Sequence, residues 1–348
     1  MNARAATRPA LAAVPVSEHD ARIAEKLRRE LDFLLPFLED DAVQEIFVNP
    51  DGAVFVDRAG EPRRHEGFIA GTKVAGLLAT VASSLHTTIN RERPHIDGVL
   101  PLDGSRISGE IPPMVTGPSM RIRKHARLVR DLAWFVGEGT MTACQAERLR
   151  GALRSKANVV VVGTTGSGKT FLANSLLKEL SIVCPHDRVL TIEDTAELVT
   201  SSADALAWTT SPEVDMRLML RRALRATPDR IVVGEVRGAE AYQLLKMWNT
   251  GHGGGLATIH SDRGALDGLT RLERMCGESP EVAGMGRGWI RELVGDVVHL
   301  LVSIAKTPAG RRVERIVEVR GFDVASGTYT VHETDPHHRS RDEETPTR

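Results

Sequence analysis

Apolar residues follow two different spacings along the larger, C-terminal part of the chain. Short runs rich in apolar residues predict strands, and the continuous β-branched run at 158–162 is typical of strands buried in a parallel sheet. These runs lie at 158–162, 188–192, 205–209, 230–233 and 256–259. Elsewhere apolar residues recur every three or four positions, which predicts amphipathic helices. The helical segments lie at 171–180, 215–226, 239–249 and 265–276. Alternating strands and helices favour a mostly parallel sheet with helices on both faces.

The N-terminal third contains shorter elements, which predict a small α+β domain. Apolar residues between positions 23 and 38 recur at helical spacing, interrupted by Pro36. Two β-rich segments within 45–57 flank a Pro-Asp-Gly turn and predict a hairpin. A second helix is predicted at 71–86 and a last strand at 119–124.

Composition narrows the class of protein. With 348 residues, 41% of them hydrophobic and 26% charged, the chain has the size and composition of a soluble globular protein of two domains. A net charge of −1 and an aromatic content of 4% argue against strong direct binding to nucleic acid. The widely spaced Cys144, Cys184 and Cys276 predict neither disulfides nor a zinc site. No apolar run approaches the ~20 residues of a membrane span, so we expect a cytoplasmic protein.

One octapeptide matches the phosphate-binding pattern G-x-x-x-x-G-K-[ST] at every position. Its residues are Gly163, Thr164, Thr165, Gly166, Ser167, Gly168, Lys169 and Thr170. A predicted strand precedes it and a predicted helix follows, so backbone N–H groups and the helix dipole would converge on phosphate oxygens. Lys169 can reach the β- and γ-phosphates, and the Thr170 hydroxyl can bind Mg²⁺. The sequence therefore predicts a site for ATP and Mg²⁺.

Three further segments carry polar residues close to predicted strands. Glu193 follows the strand at 188–192, and Glu235 and Arg237 follow the strand at 230–233. His252 and His260 belong to a glycine-rich segment that contains the strand at 256–259. Ligands of open α/β sheets bind outside the carboxyl ends of the strands. We therefore expect all these residues to converge on one nucleotide.

The two glutamates suit different tasks. A carboxylate near the γ-phosphate can orient the attacking water as general base, and in RecA-like sheets the strand beside the phosphate-binding strand often presents one, which favours Glu193. The alternative, a helix cap for the segment that follows, fits Asp194 or Thr195 better. Glu235 stands where most P-loop proteins have an aspartate that binds Mg²⁺ directly or through water. Which of the two glutamates is the base stays open.

Histidine and arginine side chains complete the candidate site. His260, and less strongly His252, could sense the γ-phosphate or couple hydrolysis to movement. Arg237, Arg121 and Arg123 could neutralise phosphate charge in the transition state, the latter two from another domain or subunit. An exposed basic strand face is the alternative for Arg121 and Arg123.

The four motifs together are similar to those of the secretion ATPases that drive type II secretion, type IV secretion and type IV pili. The segments 44–49 and 97–113 also resemble the N-terminal domain of that family. Gly234–Gly238 and Asn249–His252 look most like the traffic ATPases of conjugative type IV secretion, the TrbB-like proteins. The patterns along the chain predict an α+β domain at 21–125 and a P-loop domain at 126–332, which the resemblance implies is RecA-like. A flexible arm at 1–20 and a disordered tail at 333–348 would flank them.

The same resemblance implies an assembly and a function. Members form hexameric rings at the cytoplasmic side of the inner membrane, where they meet inner-membrane secretion proteins and associate peripherally with the membrane. The implied activity is Mg²⁺-dependent ATP hydrolysis that powers substrate transfer or machine assembly in type IV secretion. The alternatives are a pilus or type II secretion motor, a RecA-like nucleic-acid translocase, and a nucleotide-gated scaffold that does not hydrolyse ATP.

Overall fold

The polypeptide divides into two units, Met1–Leu128 and Val129–Arg348. The computed structural model describes residues 18–58, 61–124, 129–211, 213–308 and 310–333, without the side chains of 18–20 and 287. Most of the predicted arm and tail lies outside these residues. Within the described part, positions 18–20 begin a helix and Glu333 ends a strand.

The N-terminal unit contains an antiparallel sheet of six strands in the order β3-β2-β1-β6-β5-β4. The strands are β1 Val43–Val48, β2 Ala53–Arg58, β3 Arg64–Phe68, β4 His95–Val99, β5 Arg106–Glu110 and β6 Ser119–Arg123. The helices are α1 Glu18–Glu30, α2 Leu35–Glu39 and α3 Gly71–Ser84. The predicted hairpin is present as β1 and β2, and the predicted last strand, β6, lies in the middle of the sheet.

Pro36 begins a helix instead of interrupting one. The periodic segment at 23–38 contains two helices, and Pro36 stands in the first turn of α2. Proline is tolerated there because the N–H groups of a first turn have no partner within the helix. Leu27, Leu31 and Leu34 are fully buried across the break, so the apolar spacing continues into the core although the helix does not.

The second unit contains a sheet of eight strands in the order β14-β13-β12-β7-β11-β10-β8-β9. The strands are β7 Val159–Gly163, β8 Val189–Glu193, β9 Ala205–Thr209, β10 Arg230–Val236, β11 Leu256–His260, β12 Leu300–Thr307, β13 Gly310–Asp323 and β14 Thr328–Glu333. Neighbours from β12 to β9 pair in parallel, whereas β13 and β14 are added antiparallel.

Helices cover both faces of this sheet. They are α4 Leu132–Gly137, α5 Ala143–Arg154, α6 Lys169–Val183, α7 Met216–Ala223, α8 Glu240–Asn249, α9 Ala265–Gly277 and α10 Arg287–Val297. Val160 and Val162 of β7 pack with α7–α10, whereas Val159 and Val161 pack with α4–α6. Because both faces of β7 are covered, all five of its residues are buried, as its continuous apolar run predicts.

Candidate functional site

The phosphate-binding loop joins β7 to α6 and depends on three glycines. Gly166 and Gly168 have φ angles of +74° and +103°, which residues other than glycine rarely adopt. At Gly163, an added Cβ would lie 2.3 Å from the carbonyl oxygen of Ile304 and 2.6 Å from Oγ of Ser167. Gly168 caps α6 directly, so the loop brings its backbone to the N-terminus of a 15-residue helix.

Lys169 lies folded over this loop. Its side chain is 8% exposed, and Nζ donates hydrogen bonds to the carbonyl oxygens of Gly163 and Thr164, each at 3.0 Å. Thr170 is the next residue of α6. The Ser167 hydroxyl is buried and makes no hydrogen bond within the described part of the chain. A glycine cradle, a helix N-terminus and an adjacent ammonium group together suit a phosphate anion.

The predicted polar residues come together at one edge of the sheet. The strand order β7-β11-β10-β8 places the P-loop, His260, Glu235 and Glu193 at the carboxyl ends of four successive strands. His260 pairs in register with Gly163. The expectation that Glu193 stands beside the P-loop strand is wrong, since two strands intervene and place β8 about 14 Å from β7.

Glu193 is held by the loop that follows it. The side chain is 4% exposed, and Oε1 accepts hydrogen bonds from the backbone N–H groups of Glu197 and Leu198, both at 2.9 Å. Gly234 of β10 makes room for it, because a Cβ there would lie 2.8 Å from Cγ of Glu193. No helix lies in the described segment between β8 and β9, so the alternative of a helix cap at Asp194 or Thr195 is wrong, and Glu193 instead binds backbone N–H groups of a loop.

Glu235 and Arg237 form an ion pair at the end of β10. The guanidinium donates from Nε to Oε2 of Glu235 at 2.8 Å, and its Nη1 lies 3.7 Å from Oδ2 of Asp194. Burial disfavours the charged guanidinium, but the hydrogen bond to Glu235 and the charge of Asp194 outweigh it and raise the pKa of Arg237. Arg237 therefore stays charged and links Asp194, which follows β8, to Glu235 of β10.

The two histidines lie at opposite edges of the sheet. His260 ends β11, with Nε2 2.9 Å from Oδ1 of Asp262. His252 precedes β11, with Nδ1 3.1 Å from the carbonyl oxygen of Pro228, which precedes β10. The expectation that both histidines face the nucleotide is therefore corrected for His252, which stands at the amino ends of the strands.

The glycines after His252 serve packing. A Cβ on Gly254 would lie 2.1 Å from Nη1 of Arg230, and one on Gly255 would lie 2.0 Å from Nε1 of Trp248. Gly254 also has a φ of +84°. This glycine run therefore accommodates two large buried side chains at the amino ends of the strands, far from the phosphate-binding edge.

Arg121 and Arg123 lie in the N-terminal unit, on β6. The Arg121 guanidinium donates to both carboxylate oxygens of Glu45 on β1, at 3.1 and 2.7 Å, and Arg123 lies 3.6 Å from the same carboxylate. Both arginines are exposed. These contacts match the basic strand face that was the alternative reading, and a role at the nucleotide stays a prediction.

A basic residue that the sequence did not single out lies against the P-loop. The Arg311 side chain, from β13, approaches Gly168 with Cδ and Nε 2.9 and 3.3 Å from the position of an added Cβ. No motif marks it, and the hairpin of β12 and β13 was not predicted. No local signal in the sequence could have indicated it, because the contact depends on the pairing of β13 with β12 and of β12 with β7.

Two features of the described residues bear on membranes and metals. None of their helices combines the length and the apolar character that a membrane span requires. Nor do three or more of their His, Cys, Asp and Glu side chains cluster as a metal site.

Comparison with known proteins agrees with the motifs. Residues 29–300 match the family described as "Type II/IV secretion system protein". The chain is 42% identical to the probable conjugal transfer protein TrbB of Sinorhizobium fredii, over 89% of this chain and 93% of that protein. It is 40% identical to the conjugal transfer protein TrbB of Rhizobium radiobacter, over 86% and 91%.

A solved structure shows the same fold. The ATPase DotB of Legionella pneumophila superposes with a TM-score of 0.59 at 19% identity, over 81% of this chain and 78% of that one. The four motifs, the family match and the two relatives agree, and the chain belongs to the type II/IV secretion system protein family.

Proposed function

We propose that the chain is a Mg²⁺-dependent ATPase that powers substrate transfer or machine assembly in a conjugative type IV secretion system. The observation that carries the proposal is the complete P-loop, with Lys169 folded over it and acidic side chains on the same sheet edge. The relatives named as conjugal transfer proteins support the conjugative branch.

The P-loop would bind the phosphates through its backbone. N–H groups at the start of α6 face the anion, and Lys169 would exchange its two carbonyl partners for β- and γ-phosphate oxygens. Thr170 and Glu235 would hold Mg²⁺, which neutralises charge on the phosphates when bound. The Glu235 carboxylate, half-exposed and paired with Arg237, is accessible for that task.

Hydrolysis then needs a group that orients water and a group that balances charge. Glu193 is our candidate for orienting water, since its position is fixed by two backbone hydrogen bonds. Arg237 would stabilise the negative charge that develops on the phosphoryl group, and His260 would report the γ-phosphate. Each of these roles is a proposal for a residue at the same sheet edge.

The proposed assembly is the one that the resemblance to secretion ATPases implies. We infer a RecA-like C-terminal domain, a homo-oligomeric ring of six subunits, and a position at the cytoplasmic face of the inner membrane beside other secretion proteins. Arg121 and Arg123 would then act on nucleotide from the N-terminal domain.

Substitution of Lys169 by alanine tests the activity. The change removes the ammonium that would contact the β- and γ-phosphates, so we expect phosphate release to fall to background while the circular dichroism spectrum is unchanged. Lys178→Ala is the matched control, because it removes the same charge from the same helix, where Nζ contacts the carbonyl oxygen of Val129. Unchanged phosphate release by folded Lys169→Ala protein would refute the proposal.

A further inference from the structure

The hairpin of β12 and β13 borders the P-loop from the side opposite β11. β12 pairs in parallel with β7, and β13 pairs antiparallel with β12. Ile304 contacts two glycines of the loop. Its carbonyl oxygen approaches Gly163, and the Cδ1 atom of Ile304 lies 3.5 Å from the position of an added Cβ on Gly168. One end of this hairpin thus packs against both ends of the phosphate-binding loop.

Two cations stand opposite each other on this hairpin. Lys306 and Arg311 are direct cross-strand partners, two residues beyond the pair of Ile304 and Val313. Cross-strand partners project from the same face, so both side chains lie on the face from which Ile304 contacts Gly168. The Arg311 side chain contacts Gly168 as well, through Cδ and Nε.

This arrangement is unfavourable for the protein alone. Like charges directly opposite each other destabilise a sheet. Both side chains are exposed, and neither makes an ion pair with a residue in the described ranges. An anion beside the P-loop would remove the repulsion, and the nucleotide phosphates are the anion that this loop would bind.

We propose that Arg311 is a phosphate-binding residue of the nucleotide site, with Lys306 as a second, weaker cation. The inference rests on the proposed nucleotide binding and extends it to an element outside the four motifs. Because the Arg311 stem lies over Gly168, at the very start of α6, the guanidinium serves phosphates that ADP and ATP share. A planar guanidinium suits this task because it donates two parallel hydrogen bonds to phosphate.

The test uses methionine substitutions in the full chain. Arg311→Met keeps a linear stem over Gly168 and removes the guanidinium. Arg312→Met is the matched control, because its side chain projects from the other strand face and its loss removes an equal charge. Dissociation constants for fluorescent ADP and ATP analogues are measured without Mg²⁺, and melting temperatures are measured without nucleotide.

We expect Arg311→Met to bind both nucleotides at least about tenfold more weakly, because the loss of even one hydrogen bond to a charged group weakens binding by that factor. Arg312→Met should bind as the wild type does. Without nucleotide, Arg311→Met should melt at or slightly above the wild-type temperature, because it removes the repulsion with Lys306. Arg311→Lys, which keeps the charge but not the fork, should lie between wild type and Arg311→Met.

Three results overturn the inference. They are wild-type affinity in Arg311→Met, an equal loss in Arg312→Met, and a weakened affinity that goes with a lower melting temperature in both Arg311 variants. If the wild type binds nucleotide and Lys169→Ala does not, these results leave the proposed function intact. A wild type that binds neither nucleotide contradicts the proposed function and the inference with it.

Discussion

At the scale of single residues, the two glutamates of the site differ in their surroundings. Glu193 is buried and accepts two backbone hydrogen bonds through one oxygen, so it shapes the loop as well as carrying charge. Glu235 is more exposed and pairs with a guanidinium. A substitution that removes charge but keeps the carbonyl oxygen therefore separates chemistry from loop structure at Glu193.

We expect Glu193→Gln and Glu235→Gln to fail in different ways. Glutamine at 193 keeps an acceptor for both backbone N–H groups, so Mg·ATP should bind normally while turnover falls about 10²–10⁴-fold, the contribution of general-base catalysis. Glu235→Gln should raise the Mg²⁺ concentration needed for half-maximal turnover, because a metal ligand is weakened. A Mg²⁺ titration of phosphate release on both variants measures this.

Rescue by Mg²⁺ of Glu193→Gln, but not of Glu235→Gln, would reverse the two assignments. Normal turnover by both variants would place the chemistry elsewhere. Affinity for a fluorescent nucleotide is the control that separates a binding defect from a catalytic one.

At the scale of elements, one buried arginine ties the amino ends of the strands together. Arg230 begins β10 and is completely buried. It donates to Oδ2 of Asp187 at 2.5 Å, and to the carbonyl oxygens of Leu153 and Gly254 at 2.9 and 3.2 Å. It therefore connects the end of α5, the turn before β8 and the glycine run before β11.

Asp187→Asn should destabilise the second unit by about 3 kcal/mol, since it leaves a buried guanidinium without its counter-charge. For a unit of this size the melting temperature should fall by about 6–12 °C. The matched control is Asp204→Asn, whose 2.6 Å pair with Arg188 is partly exposed, with an expected cost below about 1 kcal/mol. Thermal melts of both variants by circular dichroism measure the difference, and equal shifts would contradict the role of burial.

At the scale of the whole molecule, the proposed ring connects activity to assembly. The ring is the assembly that the resemblance to secretion ATPases implies, and Arg121 and Arg123 lie in the N-terminal unit, outside the P-loop unit. If a neighbouring subunit completes the site, phosphate release per subunit should rise with protein concentration. This rise in activity should occur over the same protein concentrations as an increase in molar mass measured by light scattering. A monomer with full activity at every concentration would contradict the proposal that hydrolysis needs the ring.

Much of the fold and the site could be predicted from local signals. The apolar runs predict β7, β8, β10 and β11 to within three residues at either end, because strands covered on both faces need continuous apolar residues. β9 is predicted with the same accuracy, although it is an outermost strand and none of its residues is buried. The P-loop could be identified because its glycines and lysine are adjacent in sequence. Membership of the secretion family, predicted from the four motifs, is confirmed by the family match.

Strand order and long-range contacts could only come from the tertiary structure. Nothing local to Glu193 states that β11 and β10 stand between β8 and β7, since pairing partners are chosen by the packing of the whole sheet. His252 and His260 are eight positions apart in sequence, yet a strand between them carries them to opposite edges. Arg311 reaches Gly168 across 143 positions because β13 folds back along β12 and β12 pairs with β7. The sequence by itself determined the elements and the phosphate-binding loop, while the tertiary structure decided which side chains surround that loop.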